Sequence, residues 1–217
     1  MREKEAPPIS GRMLLPKLIT LGGPVMWILL VTSAMAIAVF IERLLHYHRA
    51  QINSMEFIEG IRNVLRQSNV VEAISICDAT PGPVARLVKA AILNRDTGRE
   101  GVREALEEAG LMEVPRLEEK LNLLATIAQI APLIGLFGTT LGMIDTFSIV
   151  SQDGLYSQIE DLSLGIWKAL VCTAAGLGIA IPSYAAYNYL VSRVNSIVLD
   201  MEKASTEIVN IVSETTK

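Results

Sequence analysis

Four side chains that could take part in ion transfer lie in, or at the edge of, strongly apolar stretches of this 217-residue chain. They are two threonines, one aspartate and one lysine: Thr139, Asp145, Lys168 and Thr173. A hydroxyl can hydrogen-bond water or a carboxylate, and a charged group inside a bilayer usually faces a cavity or a partner. These residues form the candidate ion pathway. The apolar stretches contain no nucleophile paired with a base, so no catalytic residue is expected.

Three glycines surround Thr139 in the sequence APLIGLFGTTLGMIDTF (131–147), at Gly135, Gly138 and Gly142. A nucleotide loop, a packing seam and an ion path are the three interpretations to compare. A phosphate-binding loop requires GxxxxGK[ST], whereas Gly138 is followed by two threonines and no lysine. A triphosphate could not be solvated within so apolar a run, so the nucleotide interpretation fails.

Small residues at helical spacing instead predict close approach between two membrane helices. The later apolar stretch has a corresponding set, which includes Ala174, Gly176 and Gly178. Proline removes a backbone hydrogen bond from a helix, so Pro132 and Pro182 each predict a kink or local opening. Threonine often bonds back to its own helix, and this idle role is the alternative for Thr139 and Thr173.

Long uncharged runs predict the fold class. The chain is 51% apolar and 19% charged, and its runs 18–41 and 121–144 contain no Asp, Glu, Lys or Arg. Residues 162–192 contain a single charge, Lys168. About 20 apolar residues cross a bilayer, so an all-α integral membrane protein with three transmembrane helices is expected. A net charge of −4 gives no basic field for nucleic acid, and two cysteines without a CxxC pair predict neither a disulfide framework nor a metal site.

The order of the spans predicts the organisation of the chain. Basic residues favour the cytoplasmic side, and the connection between the second and third spans has three acidic residues and no basic one. Seven basic residues near the cytoplasmic span ends against four in the N-terminal tail support the same orientation only weakly. The predicted segments are a periplasmic tail (1–17), a first span (18–41), a cytoplasmic helical loop (42–120), a second span (121–150), a periplasmic loop (151–161), a third span (162–192) and a cytoplasmic C-terminal helix (193–217).

The predicted cytoplasmic loop reads as solvated helices of mixed charge. Apolar residues from Val84 to Ile92 recur on one helical face. The sequence 97–100 has the spacing of a capping box, and a helix starting near Val114 is expected to continue unbroken into the second span. The apolar faces are buried either by neighbouring copies of the chain or by a self-contained helical bundle, and the sequence leaves both interpretations open.

Two long motifs carry a family resemblance. The segment 131–147, together with GIWKALVCTAAGLGIAIPSYAAYNYL (165–190), resembles the ExbB/TolQ/MotA proton-channel family, closest to ExbB and TolQ. In the first span, GGPVMWILL and IERLLHYHR fit as well. The resemblance implies a bacterial inner-membrane protein with a periplasmic N-terminus and a cytoplasmic C-terminus. It also places the two pore threonines of the family on Thr139 and Thr173.

The resemblance further implies partners and a role. Members form a homopentamer around a single-span ExbD/TolR-like partner whose membrane aspartate takes up and releases ions, which drives motion for a TonB/TolA-like protein. Proton flow then powers TonB-dependent import or envelope maintenance. No cofactor is expected beyond the transported proton, and a bound phospholipid is compatible with the membrane assignment. A flagellar-stator-like channel is an alternative, and a small-molecule transporter is weak because no internal repeat is present.

One position departs from the family pattern. The glutamate of the family motif GI-x-EAL falls on position 168, which is Lys168 in this chain. A cation repels protons, so the essential carboxylate is expected on the partner, with Asp145 as a candidate second acidic station. Lys168 either extends to the headgroups, faces the pore, or pairs with the partner aspartate. A non-conducting pentameric scaffold whose path is plugged by Lys168 is the rival interpretation.

Overall fold

The computed structural model describes residues 23–50, 53–153 and 159–215, and all regular elements in these ranges are helical. The α-helices of the described residues are α1 (Gly23–Ala50), α2 (Ser54–Arg66), α3 (Val70–Ala79), α4 (Pro83–Leu93), α5 (Gly98–Glu118), α6 (Leu121–Asp153) and α7 (Ile159–Thr215), with a 3-10 turn at Arg95–Thr97. The all-α prediction is confirmed. The predicted tail 1–17, the start of the first span (18–22) and the centre of the periplasmic loop (154–158) lie outside the described residues.

The surface confirms an integral membrane protein. Within the described ranges, three helical stretches are long and apolar enough to cross a bilayer. Large apolar side chains stand fully or half exposed along α1, α6 and α7, among them Trp27, Leu133, Phe137, Phe147 and Ile181. An apolar surface of this extent in water would be an aggregation liability, whereas lipid tails solvate it without cost.

The chain divides into two compact units. The first unit comprises Met1–Val39 and Leu123–Ala186, and the second comprises Phe40–Asn122 and Tyr187–Lys217. The first unit contains the candidate ion-pathway residues on α6 and α7. The second contains α2 to α5 and the C-terminal half of α7.

The core of the second unit is built from one apolar stripe on each helix. The face of α4 predicted from the sequence is buried, including Val84, Leu87, Val88, Ala91 and Ile92. The C-terminal half of α7 contributes buried residues at spacings of three and four: Leu190, Val194, Ile197, Met201, Ala204 and Ile208. A single chain therefore buries the predicted α4 face, as a self-contained bundle would.

The prediction of one continuous helix through residues 114–149 is wrong. Helix α5 ends at Glu118 and α6 begins at Leu121, with Lys120 in the left-handed region at a φ of 64°. The Tyr47 hydroxyl donates to the carbonyl oxygen of Leu117 at 2.6 Å, which satisfies an acceptor freed by the end of α5. Burial raises the pKa of Tyr47, so its phenol remains a donor. The hydrogen bond between Tyr47 and Leu117, which are far apart in the sequence, therefore stabilises the break between α5 and α6.

The predicted capping box at 97–100 is also wrong, although a helix does begin there. The Thr97 hydroxyl donates to the carbonyl oxygen of Asn94 at 2.6 Å and makes no cap bond to α5. Side-chain N-caps occur instead before α2 and α3. At each, an asparagine side-chain oxygen accepts from the backbone N–H of a glutamate three residues later: Asn53 with Glu56, and Asn69 with Glu72.

A buried carboxylate links α4 to α5, and its neutralisation is expected to weaken the second unit. Glu113 is 4% exposed and accepts from Arg86 at 2.6 Å and from Arg116 at 2.9 Å. Both arginines are half exposed, so we expect Glu113→Gln to lower the free energy of unfolding by about 1–2 kcal/mol. Chemical unfolding of the detergent-solubilised chain measures the change. Glu108→Gln, an exposed position on the same helix, is the control, and an equal effect of both variants would contradict the prediction.

The buried thiol of α3 is expected to react slowly in the folded chain. Burial, and secondarily the charge of Asp78, raises the pKa of Cys77 to about 11. The thiolate is the reactive form, so alkylation should accelerate about tenfold per pH unit across the neutral to alkaline range. Because the folded pKa exceeds that of an unfolded thiol, the associated stability is present below about pH 8.5 and is lost as pH rises toward 11. Peptide mass spectrometry of alkylated Cys77 tests this, and a rate equal to that of the urea-unfolded chain would contradict it.

Candidate ion-pathway site

Helices α6 and α7 of the first unit pack through glycine backbones. A β-carbon added to Gly135 would lie 2.8 Å from the carbonyl oxygen of Cys172, and one added to Gly176 would lie 2.6 Å from the carbonyl oxygen of Ala131. One added to Gly138 would lie 2.7 Å from the β-carbon of Cys172. Because the close atoms at Gly135 and Gly176 are backbone, no larger residue fits there unless a helix moves. These contacts define the glycine seam.

The seam continues toward the end of α6 through the predicted Gly142 and through Thr146, Gly165 and Ala169, which sequence reasoning did not single out. A β-carbon at Gly142 would lie 3.0 Å from that of Ala169, and one at Gly165 would lie 2.0 Å from the Thr146 hydroxyl oxygen. Thr146 is buried and donates back to the carbonyl oxygen of Gly142 at 2.8 Å. The sequence contains a signal for the position of Thr146 in the seam: it follows Gly135, Gly138 and Gly142 at spacings of three and four, which place residues on one helical face.

Two predicted packing residues and both prolines lie away from these contacts. A β-carbon added to Gly178 would meet nothing within 4 Å, and Ala174 is exposed. A packing role for either residue stays a prediction. Pro132 and Pro182 lie inside α6 and α7, and both helices continue beyond their prolines. A kink or local opening at either position stays a prediction.

The predicted threonines meet across the seam. The hydroxyls of Thr139 and Thr173 are hydrogen-bonded to each other, and both side chains are half-buried. The Thr139 hydroxyl oxygen also lies 3.0 Å from the carbonyl oxygen of Ala169 and 3.2 Å from the carbonyl oxygen of Gly135. The Thr173 hydroxyl oxygen lies 3.4 Å from the same Gly135 carbonyl oxygen. The close approach of the two helix backbones is what allows such short side chains to touch.

This hydroxyl pair has more acceptors than protons. Each hydroxyl carries one proton and two lone pairs. If Thr139 donates to the Ala169 carbonyl, then Thr173 can donate to Thr139 and present a free lone pair. If Thr139 instead donates to Thr173, the Thr173 hydroxyl presents its proton. The pair can thus meet either a donor, such as a protonated acid, or an acceptor, such as a carboxylate.

The two charged candidates do not join the hydroxyl pair within one chain. Asp145 follows Thr139 by six residues, about 9 Å along an ideal helix, and Lys168 precedes Thr173 by five residues, about 7.5 Å. Asp145 is displaced toward the C-terminal end of α6, and Lys168 toward the N-terminal end of α7. Around an ideal helix axis, Asp145 is rotated by about 120° from Thr139, and Lys168 by about 140° from Thr173. Both are exposed, and neither forms an ion pair with a described side chain.

Among the described residues, no group of three or more His, Cys, Asp or Glu side chains is placed to hold a metal ion. The polar groups that the seam brings together are hydroxyls and backbone carbonyls, which can form hydrogen bonds with water or with a polar partner.

Comparison with known proteins decides the family. The profile of the MotA/TolQ/ExbB proton channel family matches residues 79–203, more than half of the chain. The chain belongs to this family. The match includes α4, α5, α6 with Thr139, and α7 with Thr173 as far as residue 203, and it covers about half of the second unit. The seam and the hydroxyl pair are therefore features of a proton-channel family member of the ExbB/TolQ type.

Individual relatives carry the names of both branches. The chain is 42% identical over 86 residues to the biopolymer transport protein ExbB of Aquifex aeolicus, covering 40% of this chain and 57% of that protein. It is 40% identical over 100 residues to the Tol-Pal system protein TolQ of Haemophilus influenzae, covering 46% and 43%. The match therefore spans about half the length of these two relatives. With ExbB of Neisseria gonorrhoeae the identity is 29% over 177 residues, covering 75% of this chain and 79% of the relative.

Proposed function

We propose that the chain is the ring-forming subunit of a proton-driven inner-membrane motor. The observation that carries the proposal is the hydroxyl pair of Thr139 and Thr173, which lies between two packed helices of a proton-channel family member. In this proposal a single-span partner of the ExbD/TolR type brings a membrane aspartate to the pair. The protonated acid donates to a hydroxyl lone pair, and the ionised form accepts an O–H from the same pair. Switching the direction of the two hydrogen bonds lets one site serve both protonation states.

The proposed assembly is a homopentamer in the bacterial inner membrane, with the N-terminus periplasmic and the C-terminus cytoplasmic. The exposed apolar side chains of α1, α6 and α7 support contacts with lipid and other membrane helices. The names of the relatives, biopolymer transport and Tol-Pal system, support a TonB/TolA-like protein as the recipient of the motion. TonB-dependent import and envelope maintenance are the two duties proposed.

Reconstitution tests the proposal directly. The chain is co-purified with an ExbD/TolR-type partner and placed in proteoliposomes that contain a pH-sensitive dye. Acidification of the outside should drive proton uptake when both proteins are present, and replacing the partner's membrane aspartate by asparagine should stop it. Equal uptake with either form of the partner would contradict the proposed mechanism.

Lys168 favours one second candidate, a non-conducting scaffold, because a cation stands where the family motif has an acid. In a conducting ring, Lys168→Met and Lys168→Glu should each raise proton uptake, by about threefold to tenfold, since a nearby cation raises the barrier for a proton by about 1 kcal/mol. Lys203→Met, an exposed lysine farther along α7, is the control. If no variant conducts and assembly with the partner is intact, the scaffold is favoured over the motor.

A further inference from the structure

A cleft in the second unit lies where α1 passes the break between α5 and α6. Its volume is about 400 Å³, and its charged or titratable lining residues are Glu42, Arg43, His46, Arg49, Glu119 and Lys120. We refer to it as the corner pocket. Lys120 has a left-handed backbone at the break, and Glu119 and Lys120 contact α1 through ion pairs with Arg43 and Glu42.

Positive charge is in excess in the corner pocket. Arg43 pairs with Glu119 at 3.2 Å, and Lys120 pairs with Glu42. Arg49 is exposed and makes no ion pair with a described side chain. The lining therefore has three permanent cations, Arg43, Arg49 and Lys120, against two carboxylates, Glu42 and Glu119. Such a pocket attracts an anion.

The pocket also contains a cation that is incompletely satisfied. Arg43 is 4% exposed, and its Nε is buried without a hydrogen-bond partner in the structure. A guanidinium has five N–H donors in a planar fork that matches carboxylate or phosphate, and Glu119 occupies only part of it. A buried donor without an acceptor is costly, so an oxyanion in the pocket would supply what the protein does not.

The position in the sequence indicates where this anion comes from. Glu42 directly follows the first uncharged run, and Lys120 directly precedes the second. Both ends of the pocket therefore lie at the depth where apolar helices leave the hydrocarbon region and lipid phosphates begin. Basic pockets between membrane helices at this depth are typical sites for phospholipid headgroups.

We propose that the corner pocket binds the phosphate of an anionic phospholipid headgroup, with Arg43 as the buried anchor and Arg49 as the exposed cation. The site fixes one lipid against the break between α5 and α6. This proposal depends on the membrane assignment but not on proton conduction.

Native mass spectrometry of the full chain in detergent micelles tests the proposal, with phosphatidylglycerol, phosphatidylcholine and inorganic phosphate as probes. Phosphatidylglycerol should be retained in preference to phosphatidylcholine. Arg49→Gln should weaken its retention about fivefold, the factor expected for one basic residue at an anionic surface. Arg43→Gln should abolish the preference, and the double variant Arg49→Gln with Lys120→Gln serves if Arg43→Gln does not fold. Arg66→Gln, an exposed arginine on α2, removes the same charge away from the pocket and should leave retention unchanged.

Three results would overturn the proposal. Equal retention of both lipids by the unmodified chain would show that no anionic headgroup site exists. An equal loss in Arg66→Gln and Arg49→Gln would assign the binding to general surface charge. Full competition by inorganic phosphate at concentrations comparable to those of the lipid would make the ligand a free phosphate ion.

Discussion

Replacing Thr139 and Thr173 together by valine is expected to reduce proton uptake into partner-containing proteoliposomes by about tenfold or more. Valine keeps the shape of threonine but removes the hydroxyl, so the seam remains packed while the hydrogen-bonding pair disappears. The loss of one such bond from a transition state, about 1.4 kcal/mol, corresponds to a tenfold change in rate. Each single variant should lose nearly as much as the double variant, because one hydroxyl alone cannot switch the direction of a pair.

The chain supplies a matched control one residue away. Thr140 is exposed and its hydroxyl donates at 2.7 Å to the carbonyl oxygen of Phe137, in its own helix. Thr140→Val should therefore leave uptake unchanged, and Thr139→Ser, which keeps a hydroxyl, should recover most of it. Unaltered uptake in the double variant would remove the hydroxyl pair from the mechanism. A loss of protein from the membrane in the double variant but not in Thr140→Val would assign the pair to packing.

The membrane class could be predicted from composition, whereas the contact between Thr139 and Thr173 could not be predicted in this way. Two uncharged runs of 24 residues and a third run of 31 residues with one charge admit few other interpretations, so composition alone predicts three spans. The roles of the two threonines came from the family resemblance. Their contact follows from glycines at helical spacing on both helices, although the register that brings Gly176 against Ala131 depends on long-range packing.

The break at Glu119 and Lys120 could not be predicted locally. Neither residue is glycine or proline, and the surrounding pattern is helical. What stabilises the break is tertiary: the Tyr47 hydroxyl on the Leu117 carbonyl and the Arg43 pair with Glu119. The absence of the predicted cap at Thr97 has a more local cause. Asparagine caps a helix at least as readily as threonine, and Asn53 and Asn69, each three residues before a glutamate, provide the caps that the structure shows.

The environment of Lys168 and Asp145 could not be predicted from the sequence, for a different reason. Both are exposed in one chain, and many of the exposed side chains around them on α6 and α7 are large and apolar. The environment of such a surface is lipid, a partner or another copy, and it is set by assembly. A single sequence predicts that a charge there is functional or extends to the headgroups, but the choice between these depends on contacts that one chain does not contain.

Gly176→Ala is expected to destabilise the first unit strongly for so small a change. The new β-carbon would lie 2.6 Å from the Ala131 carbonyl oxygen and 3.0 Å from the Gly135 α-carbon, and neither atom can move without its helix. Overpacking of this kind costs about 1–3 kcal/mol, which lowers the thermal midpoint by about 3–10 °C in a chain of this size. Because the seam also positions Thr139 and Thr173, proton uptake should fall with it. Accessibility of the buried Cys172 to a thiol reagent during heating, read by peptide mass spectrometry, measures the opening of the seam.

Gly178→Ala makes the same chemical change two residues away, but it is expected to leave the stability of the first unit unchanged or to increase it. A β-carbon there meets nothing within 4 Å, and alanine is favoured over glycine in a helix by about 1 kcal/mol. The midpoint for Cys172 exposure should therefore stay constant or rise in Gly178→Ala while it falls in Gly176→Ala. Equal midpoints in the two variants would mean that α6 and α7 can separate without loss, and the hydroxyl pair would then not be held by the glycine seam.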